Sequence, residues 1–165
     1  MPTLLTLNAL DPKAAEEILF RCCSSKKWAR SMALKRPFSS VEEMLSQSDL
    51  VWFALDKEDW LEAFSHHPPI GGKSSQKWSN QEQAGVQTAS EDVLKKLHKG
   101  NIDYQNKFGY VFLVCATGKS AQEMQSALEK RINNNKELEL KNAAKEQAQI
   151  TKIRLKKLLK DDTGV

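Results

Sequence analysis

The sequence predicts an all-α, single-domain protein: a bundle of about seven or more helices with one short buried extended segment near residues 110–116. Apolar residues recur at helical spacing along most of its 165 residues, and residues suited to helix N-caps precede several of these stretches. Hydrophobic residues make up 40% of the chain, which is enough for one packed core. Nothing in the pattern indicates a hinge between two folding units.

The first two predicted helices lie before residue 37. Asp11 followed by Pro12 is typical of an N-cap with proline at the first helical position. The apolar residues after it alternate with charged ones, as expected for an amphipathic helix. Trp28, Met32 and Leu34 indicate a second, short helix that Pro37 ends.

Two further helices are predicted before His67. The pairs Ser39-Ser40 and Glu42-Glu43 offer a capping box that opens the third helix. Asp56 caps the fourth, whose apolar stripe leads to His66-His67. In the third helix, the residues expected to face inward are Val41, Met44, Leu45 and Leu50.

Three longer helices are predicted in the rest of the chain. Ser79 is expected to begin a helix that Gly100 ends. Ser120 with Glu123 forms the capping box of the next one. The last helix is expected to run from about Lys136 to Lys160, with its basic residues mostly outside the apolar stripe.

Residues 110–116 break the helical pattern. This aromatic and β-branched run is bounded by Gly109 and Gly118, which is typical of a buried strand. No second convincing strand exists to pair with it. We therefore expect an extended, buried segment whose unpaired amides and carbonyls are available to a ligand.

Composition narrows the class of protein. Lys and Arg number 25 against 21 acidic residues, a mild excess that suits an anionic small molecule without requiring nucleic acid. The last helix has no aromatic residue for stacking on bases, so no nucleic-acid partner is expected. No apolar run approaches the ~20 residues of a membrane-spanning helix. The three cysteines form no metal-ligand spacing and favour a reducing compartment, so we expect a cytoplasmic protein without a metal.

Two polar residues have the pattern of an acid/base pair. Pro68 and Pro69 must end the incoming helix, so His67 lies at a helix break. Ser79 and Glu82 form an S-x-x-E capping box in the following segment. Each feature also has a purely structural explanation, because capping boxes are common and a histidine beside a proline is more often a surface residue than a catalyst.

Four blocks of sequence carry a family resemblance that covers nearly the whole chain. They are HPPIGG at 67–72, WSNQEQAG at 78–85, Tyr104 with KFGYVFLVCA at 107–116, and Glu146, Ile150 and Arg154-Leu155. With these blocks in this order, the chain resembles the OHCU decarboxylases of purine catabolism. OHCU is 2-oxo-4-hydroxy-4-carboxy-5-ureidoimidazoline, an unstable product formed after urate oxidation and hydrolysis.

The resemblance implies decarboxylation of OHCU to (S)-allantoin and CO2 by a homodimer that needs no cofactor. It implies that His67 is the acid/base and that Glu82 accepts a hydrogen bond from His67 or the substrate. It also implies that Arg154 clamps a substrate carboxylate or carbonyl group. The other substrate-binding residues that it implies are Pro68, Ser79, Gln83 and the backbone of Phe112, Leu113, Val114, Cys115 and Ala116.

Two alternatives remain at this stage. His66 competes with His67, since spacing cannot separate adjacent histidines and only the family's His-Pro order selects His67. The protein could also be a non-catalytic helical binding module of the same fold. The presence of His67, Glu82 and Arg154 together argues against a degraded site.

Overall fold

The computed structural model describes residues 3–69 and 90–163, with side chains described as far as residue 159. Eight helices and no strand lie within this part of the chain, which confirms the predicted all-α class. The helices are α1 (Leu4–Ala9), α2 (Pro12–Phe20), α3 (Lys26–Leu34), α4 (Val41–Phe53), α5 (Lys57–Ser65), α6 (Glu91–Phe108), α7 (Ala121–Arg131) and α8 (Lys136–Thr163).

Three of the predicted N-caps are confirmed. The Asp11 side chain accepts a hydrogen bond from the amide of Ala14 at 2.9 Å, with Pro12 as the first residue of α2. Ser40 accepts one from the amide of Glu43 and so begins α4. Ser120 and Glu123 form both bonds of a capping box at the start of α7. These caps supply partners for amides that a helix start leaves unbonded.

Helix α6 corrects one prediction. Ser90 is its N-cap, and the helix passes through Gly100 before ending at Gly109 with φ 87°. Ser79, predicted to begin a helix, lies outside the described residues. Gly100 lies inside the helix, where it faces α7. A Cβ at this position would come within 2.9 Å of Cδ2 of Leu128 on α7. This glycine permits close helix packing, and Gly109 supplies the left-handed conformation that ends the helix.

Two other details of the first helices differ from expectation. Helix α1 was not predicted from sequence, since it has six residues and shows only Leu7 buried. Leu50 was expected to face inward, but it is 65% exposed. The buried face of α4 instead contains Met44, Val51 and Trp52, whose spacing of seven or eight residues leaves Leu50 on the opposite side.

The chain folds as two compact units. Unit 1 consists of Met1–Ala63 and Gln147–Val165, and unit 2 of Phe64–Glu146. The divisions fall inside α5 and α8, and the single-domain assignment stays a prediction. The core of unit 1 contains Trp28, Met32, Met44, Trp52, Leu155 and Leu158, and that of unit 2 contains Phe64, Leu97, Tyr104 and Met124. Among the described residues, no helix is long and apolar enough to cross a membrane.

Candidate active site

His67 lies in the turn directly after α5. Its backbone amide donates a hydrogen bond to the carbonyl of Phe64 at 3.1 Å. His67 and Pro68 are half-buried, whereas His66 is exposed. The predicted helix break is thus confirmed, and the two adjacent histidines have different surroundings.

Aromatic packing brings the end of α5 to the start of the 110–116 segment. The rings of Phe64 and Tyr110 lie 5.3 Å apart between centroids. Tyr104 of α6 packs against Tyr110 and also against Phe112, with ring centroids 5.2 Å apart in the second pair. This cluster holds the segment beside the end of α5, which stops at Ser65, two residues before His67.

The segment itself is buried and forms neither helix nor strand. All residues from Phe112 to Ala116 are at most 7% exposed, and the predicted buried, non-helical character of this run is confirmed. Side chains satisfy part of its backbone, which sequence reasoning did not anticipate. The Leu113 carbonyl accepts from Nη1 of Arg131 at 2.7 Å. The Cys115 amide donates to Oε1 of Glu146 at 3.0 Å, and the Cys115 carbonyl accepts from Nζ of Lys119 at 2.8 Å.

Unpaired backbone groups were expected in this segment, and Val114 has them in the part of the chain that the structure describes. Within residues 3–69 and 90–163, its amide and carbonyl take part in none of the hydrogen bonds that hold the segment. Val114 is 7% exposed, and a buried backbone group normally has a partner. Its amide and carbonyl are therefore suited to receive the polar groups of a small molecule.

A buried ion pair supports this wall of unit 2. Nε of Arg131 lies 2.6 Å from Oε1 of Glu139, which is fully buried. Tyr104 donates its hydroxyl hydrogen to the same carboxylate oxygen at 2.8 Å. Burial raises the pKa of Tyr104 well above its usual value, and the charge of nearby Arg131 opposes this only in part. Tyr104 is therefore a protonated donor at neutral pH.

Arg154 belongs to unit 1 and is buried. It lies on α8 and is 4% exposed, so it is not a surface charge. The buried thiol of Cys23 lies within its electrostatic influence. Burial raises the pKa of Cys23 to about 12, while a hydrogen bond with Thr151 and the positive charge of Arg154 act in the opposite direction.

The predicted site residues therefore fall into three groups. His67, Pro68 and the run from Phe112 to Ala116 belong to unit 2, and aromatic contacts join their surroundings. Arg154 belongs to unit 1. Ser79, Glu82 and Gln83 lie outside the described residues, and their roles stay predictions.

Sequence reasoning missed Arg131, Glu139 and Lys119. Glu139 is in the first turn of α8, where an acidic residue is normally explained by the helix dipole. Arg131 is in the last turn of α7, where the same argument explains a basic residue. The only sequence signal was their position on either side of the short Asn133–Asn135 loop, which brings two opposite charges together.

Comparison with known proteins identifies the family. A family model described as OHCU decarboxylase matches residues 8–156. The chain belongs to the OHCU decarboxylase family. A relative from Arabidopsis thaliana, the "Uric acid degradation bifunctional protein TTL", is 35% identical over 152 residues that cover 87% of this chain and 47% of that protein. The "2-oxo-4-hydroxy-4-carboxy-5-ureidoimidazoline decarboxylase" of Haloferax volcanii is 24% identical, over 93% of this chain and 94% of that protein.

A solved structure agrees with this membership of the OHCU decarboxylase family. An OHCU decarboxylase crystallised in the presence of (S)-allantoin is 36% identical and superposes with a TM-score of 0.80, covering 88% of this chain and 98% of that one. The chain spans 47%, 32% and 33% of the length of three bifunctional curated relatives that it matches.

Proposed function

We propose that this protein decarboxylates OHCU to (S)-allantoin and CO2 during urate degradation. The observation that carries the proposal is the family match over residues 8–156, which includes the His67 turn, the buried segment and Arg154. Relatives that match over nearly their whole length carry the name of this decarboxylase. The helical fold and the buried wall of unit 2 agree with that activity.

The substrate supplies its own electron sink. In OHCU the carbon that bears the carboxylate and the hydroxyl lies next to a C=N bond. When the bond to CO2 breaks, its electron pair forms a C=C bond, and the nitrogen of the former C=N group takes up a proton, which leaves an enol. The enol then gains one proton at carbon while its hydroxyl loses one and becomes a carbonyl group. The protein has to orient the carboxylate, exclude water and move protons, and none of these tasks requires a cofactor.

His67 performs the proton work in this proposal. An imidazole has an unperturbed pKa of about 6.5, so both of its protonation states are accessible near neutral pH. His67 acts on the substrate hydroxyl or on the product carbon, and Glu82 holds its tautomer and stabilises the imidazolium. Pro68 packs beneath the substrate. The half-buried position of His67 at a rigid Pro68-Pro69 turn supports this assignment over exposed His66.

Arg154 and the buried segment bind the substrate. A guanidinium presents a planar fork that matches a carboxylate, and burial strengthens its attraction for an anion. Arg154 is 4% exposed, so a substrate carboxylate that binds there is largely shielded from water and from screening by salt. The backbone from Phe112 to Ala116 forms the wall that receives the ring, while Ser79 and Gln83 meet the ureido and ring carbonyl groups.

Further features of the proposal concern the whole protein. We propose a single-domain, cytoplasmic homodimer that acts on a small molecule and binds neither nucleic acid nor a membrane. The last helix carries basic residues without aromatic ones, which supports solubility rather than base stacking as their role.

The decisive experiment adds the purified protein to freshly generated OHCU and follows its loss together with the enantiomeric excess of the allantoin formed. We expect faster loss than in buffer and one enantiomer, (S)-allantoin. A rate equal to that of buffer, with racemic product, would overturn the proposal and favour a non-catalytic binding module. Treatment with a chelator followed by dialysis should leave the rate unchanged.

A further inference from the structure

We propose that Arg131 is a positioning residue that fixes the substrate-binding wall at residues 112–114, an inference that rests on the proposed function. Arg131 makes three different contacts at once. Nε pairs with Glu139 at 2.6 Å, Nη1 donates to the Leu113 carbonyl at 2.7 Å, and the guanidinium carbon lies 4.6 Å from the centroid of the Phe112 ring. Two of these contacts are with consecutive residues of the segment.

The anchor of this arrangement is the Glu139 carboxylate. Oε1 accepts from Tyr104 at 2.8 Å as well as from Arg131, and Oε2 accepts from Asn134 at 3.2 Å and Asn142 at 3.4 Å. Glu139 is fully buried, so its charge depends on these partners. With four donors around it, the carboxylate cannot rotate freely, and it sets the plane of the guanidinium.

This geometry requires arginine rather than lysine. A planar guanidinium donates along two directions in its plane and stacks an aromatic ring on its face. Arg131 uses both properties, since the two hydrogen bonds go to different elements while the face covers Phe112. An ammonium group has one charged centre at the end of a flexible chain and cannot make all three contacts.

The consequence concerns Val114. Because Arg131 fixes the carbonyl of Leu113 and Glu146 fixes the amide of Cys115, the two peptide units that flank Val114 are held from both sides. The amide and carbonyl of Val114, which bond to nothing within residues 3–69 and 90–163, are then held in one orientation. Loss of the Arg131 contact would release one side, and a misplacement of about 1 Å can cost ~10²-fold in rate.

The test compares Arg131→Lys with Leu128→Ala. Leu128 lies on the same helix and is 3% exposed, but it packs on Gly100 of α6, so its truncation destabilises unit 2 without touching the Arg131 network. For each variant we would measure the melting temperature, kcat and KM for OHCU, the pH dependence of kcat, and amide hydrogen exchange at residues 112–116. A paired variant, Arg131→Met with Glu139→Gln, removes both charges and keeps the test open if Arg131→Lys does not fold.

We expect kcat/KM to fall about 10- to 100-fold in Arg131→Lys or in the paired variant, mainly through kcat, with the pH profile unchanged. Amide exchange should become faster at 112–116 in these variants. Leu128→Ala should keep the wild-type kcat and KM below its melting temperature. Wild-type kcat/KM in a folded Arg131 variant, or an equal loss in Leu128→Ala, would overturn the inference.

Failure of the proposed function would give a different result. A wild-type protein without activity toward OHCU would refute that function, and the exchange measurement would then decide alone whether Arg131 fixes the segment. Unchanged exchange at 112–116 in the folded Arg131 variant would refute the positioning role itself.

Discussion

His66 and His67 are neighbours in sequence but differ in what surrounds them. His67 is half-buried in the turn that follows α5, and its amide is bonded to the Phe64 carbonyl. His66 is exposed. A proton-transfer residue benefits from partial exclusion of water, since its interactions with substrate are stronger there. This difference leads to a matched pair of substitutions.

His67→Asn should keep the shape and some hydrogen bonding of the side chain while losing proton transfer. We expect turnover of OHCU to fall by about 10²–10⁴-fold, the usual loss for general acid/base catalysis. His66→Asn is the control and should stay within a few-fold of the wild type. Steady-state rates and melting temperatures of both variants provide the measurement. Normal turnover in His67→Asn would end the proposed acid/base role.

Glu82→Gln separates catalysis from helix capping. Glutamine also serves at the third position of a capping box, so the melting temperature should not change. Glutamine cannot carry the negative charge that stabilises an imidazolium, so we expect turnover to fall by about 10²-fold. A variant with wild-type rate and wild-type stability would return Glu82 to a capping role.

At the scale of elements, the 110–116 segment has the composition of a buried strand but pairs with no strand in the part of the chain that the structure describes. Side chains from neighbouring elements replace a partner strand: Arg131 bonds the Leu113 carbonyl, and Glu146 bonds the Cys115 amide. Among the described residues, this arrangement leaves the amide and carbonyl of Val114 without a hydrogen bond, which an intact sheet would not do. The segment therefore combines rigidity with available polar groups.

Because α6 packs closely against α7, we expect Gly100→Ala to lower the free energy of unfolding, although alanine normally stabilises a helix relative to glycine. Gly100→Ala gains about 1 kcal/mol in helix propensity, but its Cβ would lie 2.9 Å from Leu128 Cδ2 in a closely packed contact. Overpacking costs about 1–3 kcal/mol, so we expect a net loss of about 1 kcal/mol in the free energy of unfolding. In a Leu128→Ala background the same change should stabilise the protein.

Urea unfolding of the two single variants and the double variant measures this coupling. If Gly100→Ala has the same effect in both backgrounds, the contact with Leu128 does not explain the glycine.

At the scale of the whole molecule, buried thiol and phenol groups that stay protonated should make the protein less stable as the pH rises into the alkaline range. Burial raises the pKa of Cys23 from 9.0 to about 12 and also raises the pKa values of Tyr104 and Tyr110. The unfolded chain releases the thiol proton above about pH 9, whereas the folded protein retains it to about pH 12. The stability contributed by the protonated group is thus complete below pH 9 and is lost as the pH rises.

We therefore expect the free energy of unfolding to decrease between pH 9 and 11. One proton released only by the unfolded state contributes a slope of about 1.4 kcal/mol per pH unit. Cys23→Ala should reduce this slope and leave the part due to the two tyrosines. Urea titrations at several pH values test this; a stability that does not change from pH 9 to 11 would contradict it.

Much of the fold could be predicted because it depends on local interactions. The caps at Asp11, Ser40 and Ser120 are set by side chains that bond amides three residues away, and such pairs are visible in the sequence. Gly100 was misjudged because its role depends on Leu128, which is 28 residues away. Glycine at the end of a helix and glycine at a helix crossing look alike until the partner is known.

The same distinction applies to the site. The sequence by itself determined that His67 follows a helix and that residues 110–116 leave the helical pattern, since prolines and β-branched residues impose both locally. Only the tertiary structure decided that Arg154 is buried and that Arg131 bonds the Leu113 carbonyl. Burial and long-range hydrogen bonds arise from elements distant in sequence, and they decide whether a charged side chain lies on the surface or in the interior.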